Sequence, residues 1–204
     1  REHRADFLLR SRDLKHWEYL HDFLDGDLFG TVGDDGACPY FWPIGDRHIL
    51  LHFSHMSGGH YLVGHYDTDS QKLLVENGGD FTFGPVGGGS VHAPSACPAQ
   101  DGSGDVICIF NMNPGKPTPP WNQIMSLPRR LSLFDGDRLA QEPTGDIESL
   151  RGARTTIGPM TIPANEEILL PSVNGNCMEI DVELDPMNAR FVELNVLRSE
   201  GKEE

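Results

Sequence analysis

Residues 126–139 read Ser-Leu-Pro-Arg-Arg-Leu-Ser-Leu-Phe-Asp-Gly-Asp-Arg-Leu and place a tight turn between two short apolar runs. The first run is Leu131-Ser132-Leu133, the turn is Asp135-Gly136-Asp137, and Arg138-Leu139 begins the second run. An Asp-Gly pair between such runs is a strong short-range signal of a β-hairpin. This stretch therefore predicts two antiparallel strands that are joined near Gly136.

The same arrangement recurs along the chain, where short apolar runs alternate with Gly, Asp, Asn and Pro. Most runs are about four to eight residues long, which favours strands over helices. They are Asp6 to Leu9, Ile49 to Phe53, Tyr61 to Tyr66, Val106 to Phe110, Ile124 to Leu133, Ile157 to Ile162, Met178 to Leu184 and Phe191 to Leu197. A tight turn from Asp101 to Asp105 precedes one of them, and one helical candidate, Gly145 to Arg151, is long enough for one or two turns.

Composition supports an all-β fold and excludes several kinds of partner. The 204 residues include 23 Gly and 15 Pro, more chain-breaking residues than a helical bundle tolerates. The net charge of −15 repels phosphate backbones and anionic lipid surfaces, so we expect neither a nucleic-acid nor a membrane partner. No stretch approaches the roughly 18 apolar residues that a membrane span needs.

The patterning changes near residue 150 and predicts two domains, 1–150 and 151–204. Strand–turn units of about 40 to 50 residues in the first part are compatible with the blades of a β-propeller. In the second part, Met178 to Leu184 alternates strictly between apolar and acidic residues, which is typical of a strand with one solvated face. Phe191 to Leu197 is its expected partner, so residues 151–204 are predicted to begin a β-sandwich.

Two segments carry candidate binding residues. Asp34 and Asp35 precede an aromatic cluster from Tyr40 to Trp42, and carboxylates beside aromatic faces suit a carbohydrate site. The alternative is that the two carboxylates belong to a solvated turn. The second segment, Asn111 to Gln123, is Pro-rich, contains Trp121 and is typical of a ligand rim on a β scaffold.

Histidines and cysteines are common metal ligands, but their spacing in this sequence does not predict a metal site. Five of the nine histidines lie between His48 and His65, yet no zinc-type spacing occurs, and polar lining or surface positions are expected. The four cysteines have no paired spacing either, and Cys108 is predicted to be a buried thiol within an apolar run. We therefore expect neither a metal nor another cofactor.

Taken together, these segments resemble glycoside hydrolase family 32, the invertases, inulinases and levanases. The residues that carry the resemblance, in chain order, are Ser11-Arg12-Asp13-Leu14 with Trp17, Ala37-Cys38-Pro39, Tyr61 to Asp67, Val91 to Ser95, Ser126 to Leu133, Gln141-Glu142-Pro143, Ile147 to Arg151, and Met178 to Pro186. The order of the family's motifs is preserved over most of the chain.

The resemblance implies a five-bladed β-propeller followed by a β-sandwich. By this likeness the chain is a fragment with about the last three blades and the beginning of the sandwich, and without the first blades. The implied reaction of the intact protein is retaining hydrolysis of terminal fructosyl bonds in sucrose or a fructan, with no cofactor. An extracellular or periplasmic location is slightly favoured, and the isolated fragment is expected to be inactive.

The chain departs from the family's catalytic pattern. The resemblance implies a nucleophile in Asn-Asp-Pro, a stabilising carboxylate in Arg-Asp-Pro and an acid/base residue in Glu-Cys-Pro. The first two motifs are absent from the sequence, and the third has become Ala37-Cys38-Pro39. Side chains repeat every second residue along a strand, so Asp35 is expected on the same side as Ala37, about 6.6 Å away.

We therefore predict Asp35 as the acid/base residue, aided by a bulge at Gly36, with Asp34 as the second choice. Three alternatives stay open: a propeller that has lost its proton donor and only binds carbohydrate, an engineered Glu-to-Ala change, or a related glycosidase with another sugar as substrate. The residues expected to line the substrate funnel are Trp42, His55, His92, Asn111 and Trp121.

Overall fold

The computed structural model describes residues 6–30, 33–81, 91–113 and 119–196, and the backbone alone of 198–199 and 202–203. It divides the chain into two compact units, residues 1–145 and 146–204. The strands are β1 (Phe7–Ser11), β2 (Trp17–Asp22), β3 (Leu24–Asp25), β4 (Ala37–Ile44), β5 (Arg47–Ser54), β6 (Gly58–Asp67), β7 (Lys72–Asp80), β8 (Val91–Pro98), β9 (Val106–Met112), β10 (Ile124–Met125), β11 (Arg129–Phe134), β12 (Arg138–Pro143), β13 (Arg198–Ser199) and β14 (Lys202–Glu203).

The first unit is built from antiparallel sheets. Strands β4, β5, β6 and β7 form a meander in chain order, to which the short β3 adds in parallel beside β7. Strands β8, β9, β11 and β12 form a second antiparallel series, and β10 also pairs with β9. The prediction of an all-β fold is confirmed. A four-stranded antiparallel meander is also the unit of a propeller blade, although the number of blades stays a prediction.

The two larger sheets share one hydrophobic core. Ile49, Leu51 and Val63 from the first sheet pack in the same cluster as Phe110 and Leu131 from the second, and all five are fully buried. Burying such a side chain stabilises a fold by about 1.5–3 kcal/mol. The shared core holds the two sheets, and the strand ends that carry the site, in fixed positions.

The interior strand β5 is buried on both faces. Ile49 and Leu51 face the shared core, while Leu50 joins Leu62 and Leu73 in a second cluster on the opposite face. Successive side chains of a strand point to opposite faces, so a continuous apolar run identifies a strand that is covered on both sides. The run Ile49 to Phe53 has this pattern.

The hairpin predicted from residues 126–139 is confirmed. β11 pairs with β12 through Leu133 opposite Leu139, and the turn between them has positive φ angles at Asp135 and Gly136. The predicted turn before β9 is also present. Arg130 of β11 fastens this turn, because its guanidinium lies 2.7 Å from Asp101 and 2.9 Å from Asp105.

The second unit departs from the prediction. A 3₁₀ turn occupies Glu148–Leu150, within the predicted helical segment, but residues 151–196 contain no strand. The strands predicted at 157–162, 178–184 and 191–196 are therefore wrong for the described residues, and Leu197 lies outside them. The alternation of apolar and acidic residues from Met178 to Leu184 would give a strand one apolar face. Ile180 and Val182 are nevertheless more than two-fifths exposed, because no described strand pairs with this segment. The β-sandwich stays a prediction.

Within the described ranges, no helix is long and apolar enough to cross a membrane.

Candidate active site

Polar side chains collect at one end of the first large sheet, where four strands begin or end. β4 begins at Ala37 opposite Phe53 near the end of β5, and Ser54 faces Gly58 at the start of β6. At the same end, His60 of β6 pairs with Asp80, the last residue of β7. The antiparallel order thus brings together residues that lie more than 40 positions apart in the sequence.

The second large sheet contributes to the same end. β8 begins there, and its His92 is the register partner of Asn111 near the end of β9. The His92 ring packs against Phe53 with 4.9 Å between ring centroids, and the His55 ring also packs against Phe53 at 4.9 Å. Five predicted residues, Asp34, Asp35, His55, His92 and Asn111, therefore belong to this one region.

Asp35 is held by a single partner, His55. The backbone N–H of His55 donates to one carboxylate oxygen at 2.9 Å, and its ring Nδ1 lies 2.5 Å from the other oxygen. Partial burial raises the pKa of Asp35, but the hydrogen bonds from the His55 ring and backbone outweigh it and leave the pKa below the ordinary value. Asp35 is thus an ionised carboxylate, whereas a proton donor in glycoside hydrolysis needs a raised pKa.

Asp34 lies in a different environment from its neighbour. Its side chain is 4% exposed and accepts hydrogen bonds from the hydroxyls of Ser54, at 3.0 Å, and Ser57, at 2.9 Å. The Ser57 hydroxyl also contacts Nε2 of His60 at 2.7 Å, and Nδ1 of that ring lies 2.5 Å from Asp80. Asp34 therefore anchors the turn before β4 to the β5–β6 turn.

Ser57, His60 and Asp80 have the spacing of a nucleophile, a base and its orienting carboxylate. Their surroundings do not suit a nucleophilic serine, because its hydroxyl is shared with the carboxylate of Asp34. The nearby amides of Met56 and Ser57 donate to Ser54, so they are not directed at a developing oxyanion. The network is better suited to fixing the turn.

The buried histidines correct the sequence analysis. His52 and His60 were expected to be lining or surface residues, but they are 2% and 8% exposed and their rings stack with centroids 5.2 Å apart. A hairpin centred on Met56 would have predicted this, because it places residue 52 opposite residue 60. Among the described residues, no group of three or more His, Cys, Asp or Glu side chains is arranged to hold a metal.

Backbone irregularities lie beside Ala37. β4 has a bulge between Ala37 and Tyr40 with Cys38 at a φ of 51°, and β8 has one between His92 and Ser95 with Ala93 at 46°. The bulge thus lies after Ala37 and not at Gly36, where it was expected. Bulges re-aim side chains and are common next to active sites.

Two of the predicted lining residues are not brought to this region. Trp42 lies towards the other end of β4, opposite Ile49, and its indole N–H donates to the carbonyl of Ala96 at 3.1 Å. Its role is to join the two sheets. Trp121 is 47% exposed, beyond the described end of β9, whereas Asn111 belongs to the site and donates its amide to Gln123.

Two open clefts lie elsewhere in the first unit. One, of about 410 Å³, is lined by residues of β9, β11 and β12 that include Met112, Arg129 and Gln141. The other, of about 370 Å³, lies along the β1–β2 hairpin and includes Ser11, Asp13 and Trp17. Neither contains Asp34 or Asp35.

A comparison with protein families gives the class to which this fold and site belong. Residues 2–143 match the profile described as the glycosyl hydrolases family 32 N-terminal domain, and this match covers more than half of the chain. The chain therefore belongs to glycosyl hydrolase family 32.

Curated relatives agree with this family. A sucrose-6-phosphate hydrolase of Vibrio alginolyticus is 28% identical over 166 residues, which cover 74% of this chain and 33% of that protein. A levanase of Bacillus subtilis (strain 168) is 25% identical over 85% of this chain and 28% of its own length. A sucrose-6-phosphate hydrolase of Escherichia coli is 29% identical over 86% of this chain and 38% of its own. The chain thus spans about a third of the length of these relatives.

Proposed function

We propose that the whole protein is a glycosidase that hydrolyses terminal fructosyl bonds in substrates of the sucrose or fructan type. The observation that carries this proposal is the family match over residues 2–143. The names of the relatives, sucrose-6-phosphate hydrolase and levanase, support the substrate class. The acidic and histidine side chains at one end of the two sheets support a site of this kind in this chain.

The proposal includes a propeller architecture and a retaining route. The two antiparallel meanders with a shared core support the first, since blades of a propeller pack in this manner. A retaining route needs a nucleophile carboxylate about 5 Å from the proton donor. The division of the chain into a propeller part up to residue 150 and a sandwich part beyond it belongs to the same proposal.

A second candidate function is carbohydrate binding without catalysis. It is favoured by Ala37, which can neither donate nor accept a proton, and by the ionised state of Asp35. In this case the protein would hold a fructan at the same strand ends and leave its bonds intact.

One experiment separates the two functions. The whole protein is incubated with sucrose, sucrose 6-phosphate and levan, and released fructose is measured beside binding of the same sugars by calorimetry. We expect fructose from at least one of the three, and NMR of the first product would show whether the anomeric configuration is retained. Binding with no release would overturn the hydrolase proposal in favour of the binding protein.

A further inference from the structure

The proposed hydrolysis needs a group that gives a proton to the leaving oxygen. Four titratable groups of the site can be compared with this requirement. Asp34 is buried and holds two serine hydroxyls, and Asp35 is an ionised carboxylate. Burial, followed by the nearby His55, lowers the pKa of His92, so this ring is a neutral imidazole at neutral pH. Only His55 remains.

His55 combines access to solvent with a fixed orientation. Its side chain is 74% exposed, in the turn between β5 and β6. Asp35 holds it at two points, the backbone N–H at 2.9 Å and the ring Nδ1 at 2.5 Å, while the ring edge packs against Phe53. The imidazole is therefore exposed to solvent while its Nδ1 edge is fixed by the carboxylate.

The position of the pair agrees with a role in the site. Ala37 and Phe53 are opposite each other in the β4–β5 ladder; Asp35 lies two residues before Ala37, and His55 lies two residues after Phe53. The hydrogen bonds between Asp35 and His55 therefore join the two segments just beyond the Ala37–Phe53 pair.

We infer that His55 donates the proton in glycosidic bond cleavage and that Asp35 is its positioning residue. This inference rests on the proposed function. Because Nδ1 faces the carboxylate, Nε2 on the other side of the ring is the donating atom. An orienting carboxylate on one ring nitrogen and a reactive proton on the other is the arrangement by which histidine acts in general acid catalysis.

The proton balance of the reaction is complete with water as the second reactant. Nε2 gives its proton to the glycosidic oxygen while the bond from that oxygen to the sugar carbon breaks, and the electron pair of the bond stays on the oxygen. Water supplies a hydroxyl to the sugar carbon by the end of the reaction, and its remaining proton returns to Nε2. The products are the alcohol and free fructose.

The test compares leaving groups in the whole protein. The nitrophenolate group of a nitrophenyl fructoside leaves readily without being protonated. The sugar leaving group of sucrose needs a proton on its oxygen. We expect His55→Gln to lower kcat on the sugar substrate by about 10²- to 10⁴-fold and on the nitrophenyl substrate by less than about tenfold. Asp35→Asn is expected to show the same selectivity with a smaller loss, which a merely structural role would not produce.

The controls make each failure distinct. His65→Gln changes an exposed histidine on β6, outside the site, and is expected to leave both rates unchanged. Added imidazole is expected to restore sucrose cleavage by His55→Ala. Equal losses on both substrates, or no loss, would overturn the role of His55 while the proposed function stands. A whole protein that cleaves neither substrate would overturn both.

Discussion

Gly64 of β6 offers a quantitative test of the sheet that positions the site. A Cβ added at this residue would lie 2.0 Å from the carbonyl oxygen of Leu74 and 3.0 Å from the Cα of Val75, both in the neighbouring strand β7. The close approach arises from a bulge, since Val63 faces Asn77 and Gly64 faces Val75. The φ of Gly64 is not positive, so an alanine at this position would meet a steric obstacle and no backbone strain.

The size of the effect follows from the displacement that the methyl group requires. Cβ atoms do not approach other heavy atoms closer than 3.0 Å, so the two strands must separate by about 1 Å at this point. Such a shift stretches neighbouring ladder hydrogen bonds beyond about 3.5 Å, where they are lost. Two lost bonds at about 0.5–1.5 kcal/mol each, with the cost of displaced side chains, give about 2–4 kcal/mol of destabilisation for Gly64→Ala.

The assay is urea denaturation of the whole protein, followed by hydrogen exchange of the β6 and β7 amides. Gly152→Ala is the matched control, because a Cβ there meets no atom within 4 Å, and we expect a change below about 0.5 kcal/mol. Faster exchange in β6 and β7 is expected for Gly64→Ala alone. If Gly64→Ala and Gly152→Ala had equal stability, the bulged pairing of β6 with β7 would be refuted.

Three further predictions concern acid stability, the core and the thiols. The pKa of Asp35 is lower in the fold than its ordinary value of 3.8. Its contribution to stability is therefore complete above about pH 5 and is lost as the pH falls through 3.8 and below. In acid titrations followed by fluorescence, the stability difference between wild type and Asp35→Asn should shrink over that range. Phe110→Ala should lower the unfolding free energy by about 3–5 kcal/mol, because the ring is fully buried, whereas Phe134→Ala, at a position 42% exposed, should cost much less in the same urea assay. Burial raises the pKa of Cys108 to about 12, so thiol labelling of the native protein at pH 8 should modify the three exposed cysteines and spare this one; rapid labelling of all four would contradict its burial.

Some strands of the first unit could be predicted from local sequence, whereas β2, β4, β7 and β8 were not among the predicted apolar runs. Apolar runs of strand length between turn residues located β5, β6 and β9, and the Asp-Gly turn located the β11–β12 hairpin. These signals suffice because each run is buried by neighbours that are close in the chain. In residues 151–196 the same kind of alternation gave a false prediction, since a strand also needs a hydrogen-bonded partner.

The site could be predicted only in part, because its chemistry depends on long-range register. Asp34 and Asp35 were identified as candidates from sequence, but their different roles were not. His55, 20 positions away, lowers the pKa of Asp35, and the contact of buried His60 with Asp80 depends on the pairing of β6 with β7. Neither contact could be predicted from the spacing of these residues in the sequence.

Asp34 and Asp35 stand side by side yet contact different groups: two serine hydroxyls hold the first inside the fold, and the second is bound to an exposed imidazole. Their order in the chain therefore decides which carboxylate is buried and which one contacts the imidazole. A substitution at Asp34 or Asp35 alters the contacts of one carboxylate. Insertion or loss of a single residue before β4 would shift both carboxylates at once. Among descendants of this sequence, the turn before β4 should therefore vary in composition and keep its length.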